Sequence, residues 1–250
     1  MAVLDNKVAI VTGAGSGFGE GIATAYINEG AKVIVADINE AAALRVAGAL
    51  GNNANAFTVD VSNGQQVQAL VAHCVDTFGA PDIVVNNAAI THKNQPMLDV
   101  DEAMFDRMFD VNVKSIYHMA QAVVPIMRQT GAGVILNIGS TAGIRPRPGL
   151  SWYNASKGAV NVLSKSMAVE LGADNIRVNA ICPVMGITGM FELFMGLPDT
   201  PENRAKFISS IPLGRFSTPK DVAAAAVFLA SDAAAFLTGI ELPVDGGRTV

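Results

Sequence analysis

Cysteine is scarce in this chain of 250 residues: there are two, Cys74 and Cys182. Two cysteines so far apart do not make a disulfide framework, and a reducing cytoplasm is the expected setting. Long apolar runs are missing too. The longest, 222–230, has nine residues, whereas a membrane span needs about 20. The start, MAVLDNKVAIVTGAG, has no basic segment and no cleavage site, so neither a secretory leader nor a membrane partner is expected. Basic charge is in deficit. Against 22 Asp+Glu there are 17 Lys+Arg, a net charge of −5. That balance argues against a nucleic-acid partner, whose phosphates require clustered Lys and Arg. The three histidines, His73, His92 and His118, share no metal-ligand spacing, so no metal site is expected.

What is present is apolar. Half the residues are hydrophobic and 16% are charged, with a mean hydropathy of +0.36. Disorder is excluded by that composition, and a chain of this length can bury roughly 70–75% of its unfolded surface. Six short, β-branched, nearly continuous apolar runs read as strands: 7–12, 32–36, 54–59, 82–86, 133–138 and 176–182. Strands buried on both faces have this character. Helix-length segments lie between them at 17–29, 39–50, 64–78, 101–129 and 151–173, and a last helix at 219–230 precedes a short strand at 239–244. The alternation predicts an α/β fold: one domain over 1–250, a Rossmann-type doubly wound parallel sheet of about seven strands with helices on both faces. One stretch fits poorly. Residues 184–212 are rich in Met and Phe and punctuated by Gly and Pro, which predicts a weakly structured flap over a site. An oligomer contact or ordinary core is the other reading.

The first strand runs into Thr12-Gly13-Ala14-Gly15-Ser16-Gly17-Phe18-Gly19. Glycines at 13, 17 and 19 remove Cβ atoms where a tight turn approaches a pyrophosphate, and the next helix offers free N–H groups and a positive dipole end. No Lys-Ser or Lys-Thr follows the last glycine, so this is not a nucleoside-triphosphate loop. The second strand ends at Asp37, 18 residues past Gly19. An acidic side chain there accepts the ribose hydroxyls of an adenosine and repels a 2′-phosphate. With no Arg or Lys at 14–18 or 38, NAD is favoured over NADP. Helix capping is the competing role for Asp37. Asp60 reads equally as an adenine contact or a turn residue.

Ligands of open parallel sheets bind beyond the carboxyl ends of the strands. Those ends carry Asn86-Asn87-Ala88-Ala89 after strand four and Gly139-Ser140 after strand five, followed by Tyr153 and Lys157 near the start of the next helix. Residues four apart share a helix face, so the phenol and the ammonium point into one pocket. A nearby cation favours phenolate and lowers the Tyr153 pKa from its reference of about 10 toward neutrality. A phenolate so tuned takes a proton from an alcohol near pH 7. Ser140 can hydrogen-bond the same substrate oxygen.

Thr-Gly-x3-Gly-x-Gly, Asn-Asn-Ala, Ser, Tyr-x3-Lys and a terminal Asp-Gly-Gly occur together and in order over residues 5–249. The chain thereby resembles the short-chain dehydrogenase/reductase family in its compact branch, including proteins labelled 3-oxoacyl-acyl-carrier-protein reductases or sugar and polyol dehydrogenases. The resemblance implies hydride transfer between a nicotinamide and a secondary alcohol or ketone. It makes Tyr153 the general acid/base. Lys157 tunes that phenol and holds the nicotinamide ribose. Ser140 positions the substrate oxygen, and Asn112 holds a water linking Lys157 to bulk solvent, unless Asn112 is simply a buried, satisfied amide. Ser16, Phe18, Ile38, Val61, Asn87 and Ala88 join the glycines, Asp37 and Asp60 as cofactor contacts. Asn86 and Val111 line the adenosine side, and Ile181, Pro183 and Thr188 lie at the nicotinamide amide. A homotetramer is implied, with helices near 101–129 and 151–173 pairing across one two-fold axis and the C-terminal tail across another. Two positions depart from the family pattern: Ala89 and Val184 stand where glycine is usual. A β-branched residue at 184 implies a different local turn.

The substrate is a small molecule that Ala142, Ser140 and Tyr153 would face. Arg145 and Arg147, between Ser140 and Tyr153, could clamp an anionic group, since guanidinium binds carboxylate, sulfonate or phosphate bidentately. A surface or subunit-interface ion pair is the alternative. Leu150 and Trp152 could wall the pocket, and His92 could touch substrate. Three rivals to the NAD-dependent reading remain. A 3-oxoacyl reductase would use NAD(P)H. A non-catalytic nucleotide-binding regulator is disfavoured by the intact Asn112, Ser140, Tyr153 and Lys157. A halohydrin lyase-like protein would lack the glycine loop and carry Arg in place of Lys157.

Overall fold

The computed structural model describes residues 2–186 and 191–250. Seven strands form one parallel sheet in the order β3-β2-β1-β4-β5-β6-β7. They are β1 (Val8–Thr12), β2 (Lys32–Asp37), β3 (Ala54–Thr58), β4 (Ile83–Asn86), β5 (Gly133–Ile138), β6 (Ile176–Pro183) and β7 (Glu241–Val244). The chain starts in the middle of the sheet at β1, works outward to β3, then returns to place β4 on the other side of β1. That reversal leaves a crevice at the carboxyl ends of β1 and β4, where ligands of doubly wound sheets sit.

The helices are α1 (Gly17–Asn28), α2 (Glu40–Leu50), α3 (Gly64–Phe78), α4 (Glu102–Phe109), α5 (Ser115–Thr130), α6 (Ser151–Leu171), α7 (Phe191–Met195), α8 (Pro201–Ile208) and α9 (Pro219–Ala230). Local sequence explains where several begin. Asn39, Asn63 and Asp101 accept backbone N–H groups at the starts of α2, α3 and α4, and Thr218 with Asp221 forms a reciprocal capping box on α9. Two apolar cores flank the sheet. One joins α1 and α9 to the faces of β1, β2, β4 and β5, and the phenol of Tyr26 reaches the Ala226 carbonyl at 3.2 Å to pin those two helices together. The other packs α3, α5 and α6 against the opposite face.

Strands β1, β4 and β5 are buried throughout, as their unbroken apolar character requires. The outermost strand, β3, is only partly buried, because an edge has one neighbour. The stretch expected to be one helix over 101–129 is interrupted by a π-helical turn at Asp110–Lys114 that carries Asn112. Residues 184–212 also depart from expectation. In their described part they fold into α7 and α8 around a small core of Val184, Phe191, Phe207, Ile211 and Phe216. The clustered aromatics supply that core, which is why the described part is structured.

Candidate active site

A cleft of about 400 Å³ runs across the carboxyl ends of the strands. Its nucleotide end is built by the turn between β1 and α1. Gly13 adopts φ +61°, and a Cβ there would sit 2.9 Å from the Ala88 Cα. Gly19 does not line the cleft. A Cβ on it would collide with the Gly13 carbonyl oxygen and sit 2.6 Å from Asn87 Nδ2, so this glycine permits the turn rather than facing a ligand. Asn87 braces the same turn. Its Nδ2 donates to the carbonyls of Thr12 (2.8 Å) and Gly13 (3.0 Å), which ties β4 to β1. Ser16, Gly17, Phe18, Ile38, Val61 and Ala88 all line the cleft.

Asp37 does not cap α2; Asn39 does that, accepting from the Ala42 N–H. Asp37 faces the cleft, with Oδ2 accepting from Gly15 N (2.8 Å) and Oδ1 from Asn39 N (2.9 Å). Each carboxylate oxygen keeps lone-pair capacity for a ribose hydroxyl. A cation does reach this loop from α2: Arg45 donates to the Gly15 carbonyl. Its charge is already taken by Glu20, 2.9 Å away. Asp60 holds the turn role. One oxygen accepts from Ser62 in a tight turn (2.9 and 2.6 Å), and the residue still lines the cleft.

The chemical end gathers Ser140 from the end of β5 with Tyr153 and Lys157 from the first turns of α6. Tyr153 and Lys157 are buried. The lysine ammonium donates to the Ile138 carbonyl at 2.8 Å, and burial pulls its pKa down to about 8. The expected lowering of the Tyr153 pKa is not what the structure shows. Burial pushes the phenol up to about 12, and the neighbouring Ser140 hydroxyl pulls it only part of the way back. Desolvation of a charge dominates here, with Cys182 adding to it, while the Lys157 ammonium is spent on a backbone carbonyl.

Asn112 is set behind this group. Its side chain accepts from Ile90 N (2.8 Å) and donates to the Ile90 carbonyl (2.9 Å) and Ser156 Oγ (3.0 Å). The amide is therefore a satisfied brace between the β4 loop and α6, held there by the π-helical turn. Asn86 is also turned away from the cleft, donating to Asn137 Oδ1 at 2.8 Å, and Ile181 is core. Pro183, Val111, Ala142 and Leu150 line the cleft as expected, while Thr188 lies outside the described residues. Val184 is buried just past the end of β6. It continues the pairing of β6 through Val184 N to the Val244 carbonyl (3.1 Å) and packs into the small aromatic core. Trp152 packs edge-on against Phe105 and donates to the Met97 carbonyl, so it stands outside the cleft. His92 is buried and bonded to its own loop at the Lys93 carbonyl, not turned to the cleft.

Two features escaped the sequence. Phe194 on α7 meets the Tyr153 ring edge-on at 5.1 Å. Arg248, in the C-terminal tail, lines the cleft beside Arg145 and Arg147. The tail returns because β7 runs parallel to β6, and Asp245 locks the turn by accepting from Gly247 N, Thr249 N and Thr249 Oγ1 (2.9, 2.8 and 2.7 Å). The terminal Asp-Gly-Gly marked the turn but not what it would approach. Among the described residues no group of acidic, His and Cys side chains could hold a metal, and no helix is long and apolar enough to cross a membrane.

A glycine cradle joined by one cleft to a buried Ser–Tyr–Lys group defines a dinucleotide-binding oxidoreductase. A family model described as enoyl-(acyl carrier protein) reductase matches residues 13–249. The chain is 49% identical over 250 residues to 4-formylbenzenesulfonate dehydrogenase TsaC1/TsaC2 of Comamonas testosteroni, covering 99% of each. It is 38% identical to 2-(S)-hydroxypropyl-CoM dehydrogenase 3 of Xanthobacter autotrophicus, covering 98% of each. The crystal structure of 3-ketoacyl-(acyl-carrier-protein) reductase from Brucella melitensis complexed with NADH superposes with a TM-score of 0.95 at 45% identity, over 99% of this chain and 100% of that one. The chain belongs to the short-chain dehydrogenase/reductase family, enzymes that act on CH–OH groups with a nicotinamide cofactor.

Proposed function

We propose that this protein is an NAD-linked dehydrogenase that interconverts an alcohol and a carbonyl on a small molecule. The observation that carries this is the joining of Asp37 and the glycine turn to Ser140, Tyr153 and Lys157 within one cleft. The nucleotide end fits a dinucleotide: Gly13, Ser16, Gly17 and Phe18 line it beside Asp37, which has acceptors to spare. NAD over NADP is supported by that carboxylate and by the pairing of Arg45 with Glu20. When bound, the nicotinamide supplies the carbon that gives or takes hydride.

The chain's own residues handle the proton. With its pKa near 12, the Tyr153 phenol is protonated at neutral pH and stands ready to protonate a carbonyl oxygen. Removing a proton from an alcohol needs the phenolate, so oxidation is favoured as pH rises. Ser140 adds a second hydrogen bond to the same substrate oxygen. Lys157 brings a cation within one helical turn of the phenol, held in place by the Ile138 carbonyl. Asn112 positions α6 against the β4 loop through Ser156 and Ile90. The segment 184–212 acts as the cover of the substrate end, supported by the contact of Phe194 with Tyr153.

The relative from Comamonas testosteroni is named for an aldehyde, which favours a dehydrogenase of small carbonyl compounds. The alternative, a 3-oxoacyl-acyl-carrier-protein reductase, is favoured by the name of the structural neighbour. A cytoplasmic homotetramer completes the proposal. Two free, buried cysteines suit a reducing compartment, and the exposed Tyr117, Val162 and Val169 on α5 and α6 suit a helical interface. Absorbance at 340 nm with NAD and NADP separates these readings, across secondary alcohols, benzylic alcohols, hydroxy acids and one 3-oxoacyl thioester. Turnover of an alcohol with NAD, lost by 10²-fold or more in Tyr153→Phe, is the expected result. Turnover of the thioester with NADPH alone would establish the alternative.

A further inference from the structure

We propose that Arg145, Arg147 and Arg248 form an anion-binding subsite at the substrate end of the cleft. The enzyme's substrate then carries a fixed oxyanion, a sulfonate or a carboxylate, apart from its reacting carbon. This rests on the dehydrogenase reading and narrows it to a substrate class.

Among the described residues there are seven ion pairs, and none contains these three arginines. Instead the three converge on one wall of the cleft that holds Ser140 and Tyr153. They come from two distant segments. Arg145 Nη1 donates to the Arg248 carbonyl at 2.8 Å, which fixes the tail against the loop before α6. Arg147 and Arg248 share one aromatic ring, with their guanidinium carbons 4.9 and 5.0 Å from the centre of Phe207. Stacking fixes the plane of a guanidinium and leaves its edge donors for a ligand. The polar contact of Arg147 Nη2 is the Met195 sulfur at 3.5 Å, a weak acceptor.

This arrangement costs free energy by itself. Burial makes Arg147 and Arg248 less basic than usual, and repulsion adds to it, from Arg248 on Arg147 and from Arg145 on Arg248. The acid nearest Arg248, Asp245, has its oxygens committed to the backbone and hydroxyl of the tail turn. The acids that line the cleft, Asp37 and Asp60, belong to its nucleotide end. An oxyanion offsets the repulsion and accepts several charge-assisted hydrogen bonds at once. Between the arginines and Tyr153 the wall is apolar, with Leu150, Phe194 and Phe207. A small aromatic body fits there, with the anion at one end and the carbonyl at the other.

The test compares para-substituted benzaldehydes that carry a sulfonate, a carboxylate or a neutral methylsulfonyl group, with NADH. The expected result is a kcat/KM about 10²-fold higher for an anionic aldehyde than for the neutral one. That ratio should fall about tenfold to a hundredfold in Arg147→Gln and in Arg248→Gln, mainly through KM, with partial recovery in Arg147→Lys. Sulfonate against carboxylate identifies the anion. A second measurement titrates benzenesulfonate, benzoate and neutral benzenesulfonamide into the protein saturated with NAD. The anions should bind, more weakly as NaCl rises, and the sulfonamide should not. Equal turnover of charged and neutral aldehydes, or no anion binding, overturns the subsite while leaving the dehydrogenase reading intact. Salt-sensitive anion binding that is lost in Arg147→Gln supports the subsite even if no compound turns over, and in that case the dehydrogenase reading is what fails.

Discussion

Replacing Gly19 with Ala pits a local preference against a tertiary contact. Gly19 lies in the first turn of α1, and in a helix Ala is favoured over Gly by about 1 kcal/mol. Propensity alone therefore predicts stabilisation. The structure predicts the opposite sign. The new Cβ would meet the Gly13 carbonyl oxygen and lie 2.6 Å from Asn87 Nδ2, where ordinary contact begins at 3.4 Å. Neither neighbour yields easily. Gly13 is held at φ +61°, and Asn87 is fixed by hydrogen bonds to Thr12 and Gly13. Overpacking costs about 1–3 kcal/mol, and loss of the Asn87–Gly13 hydrogen bond adds about 1 kcal/mol. After the helix gain is subtracted, a net loss of about 2 kcal/mol remains, or a fall in Tm of about 4–8 °C for a chain of this size. Distortion of the turn should also weaken NADH binding by about tenfold or more. Thermal melting and a fluorescence titration of NADH measure both. A Tm that rises with an unchanged Kd would refute the argument.

Other substitutions probe other parts of the site. Asp37→Ala removes the acceptor for Gly15 N and Asn39 N; the ratio of NAD to NADP efficiency should fall about tenfold or more, read from initial rates with each cofactor. Lys157 has its pKa lowered from 10.5 to about 8, so between those values the unfolded chain holds a proton that the folded chain has released. Stability therefore rises with pH in that window. Lys157→Met should remove up to about 2 kcal/mol of the gain between pH 7.5 and 9.5, measured by urea unfolding of both proteins. Tyr153 acts in the opposite sense. Its pKa is raised from 10.0 to about 12, so stability falls as pH climbs through that range, and Tyr153→Phe should lose less above pH 10. Asp221 caps α9 and pairs with Arg215 at 2.7 Å, which holds its carboxyl far below the usual carboxylate range. Asp221→Ala should cost about 1–2 kcal/mol at pH 7 and nearly nothing at pH values low enough to protonate the carboxyl.

Much of this molecule is determined locally. Continuous β-branched runs mark buried parallel strands, and the observed strand Gly133–Ile138 coincides with the run read from composition. The glycine turn, the acidic end of β2 and the Tyr–Lys spacing are legible because each depends on a few neighbouring residues and on the period of a strand or helix. What tertiary structure decided are matters of distance and dielectric. The Tyr153 phenol is raised rather than lowered because burial acts on it from all sides, and no spacing reports burial. Asn87 and Asn112 spend their amides on loops of neighbouring strands. The helices Phe191–Met195 and Pro201–Ile208 hold together because Phe191, Phe207 and Phe216 find one another. Arg248 reaches Arg145, more than a hundred residues away in the chain, because β7 is parallel to β6 and carries the tail to the end of the sheet where the cleft opens. Period and composition specify the elements; the electrostatics of the cleft arise only when the sheet brings distant charges together in a common low-dielectric space.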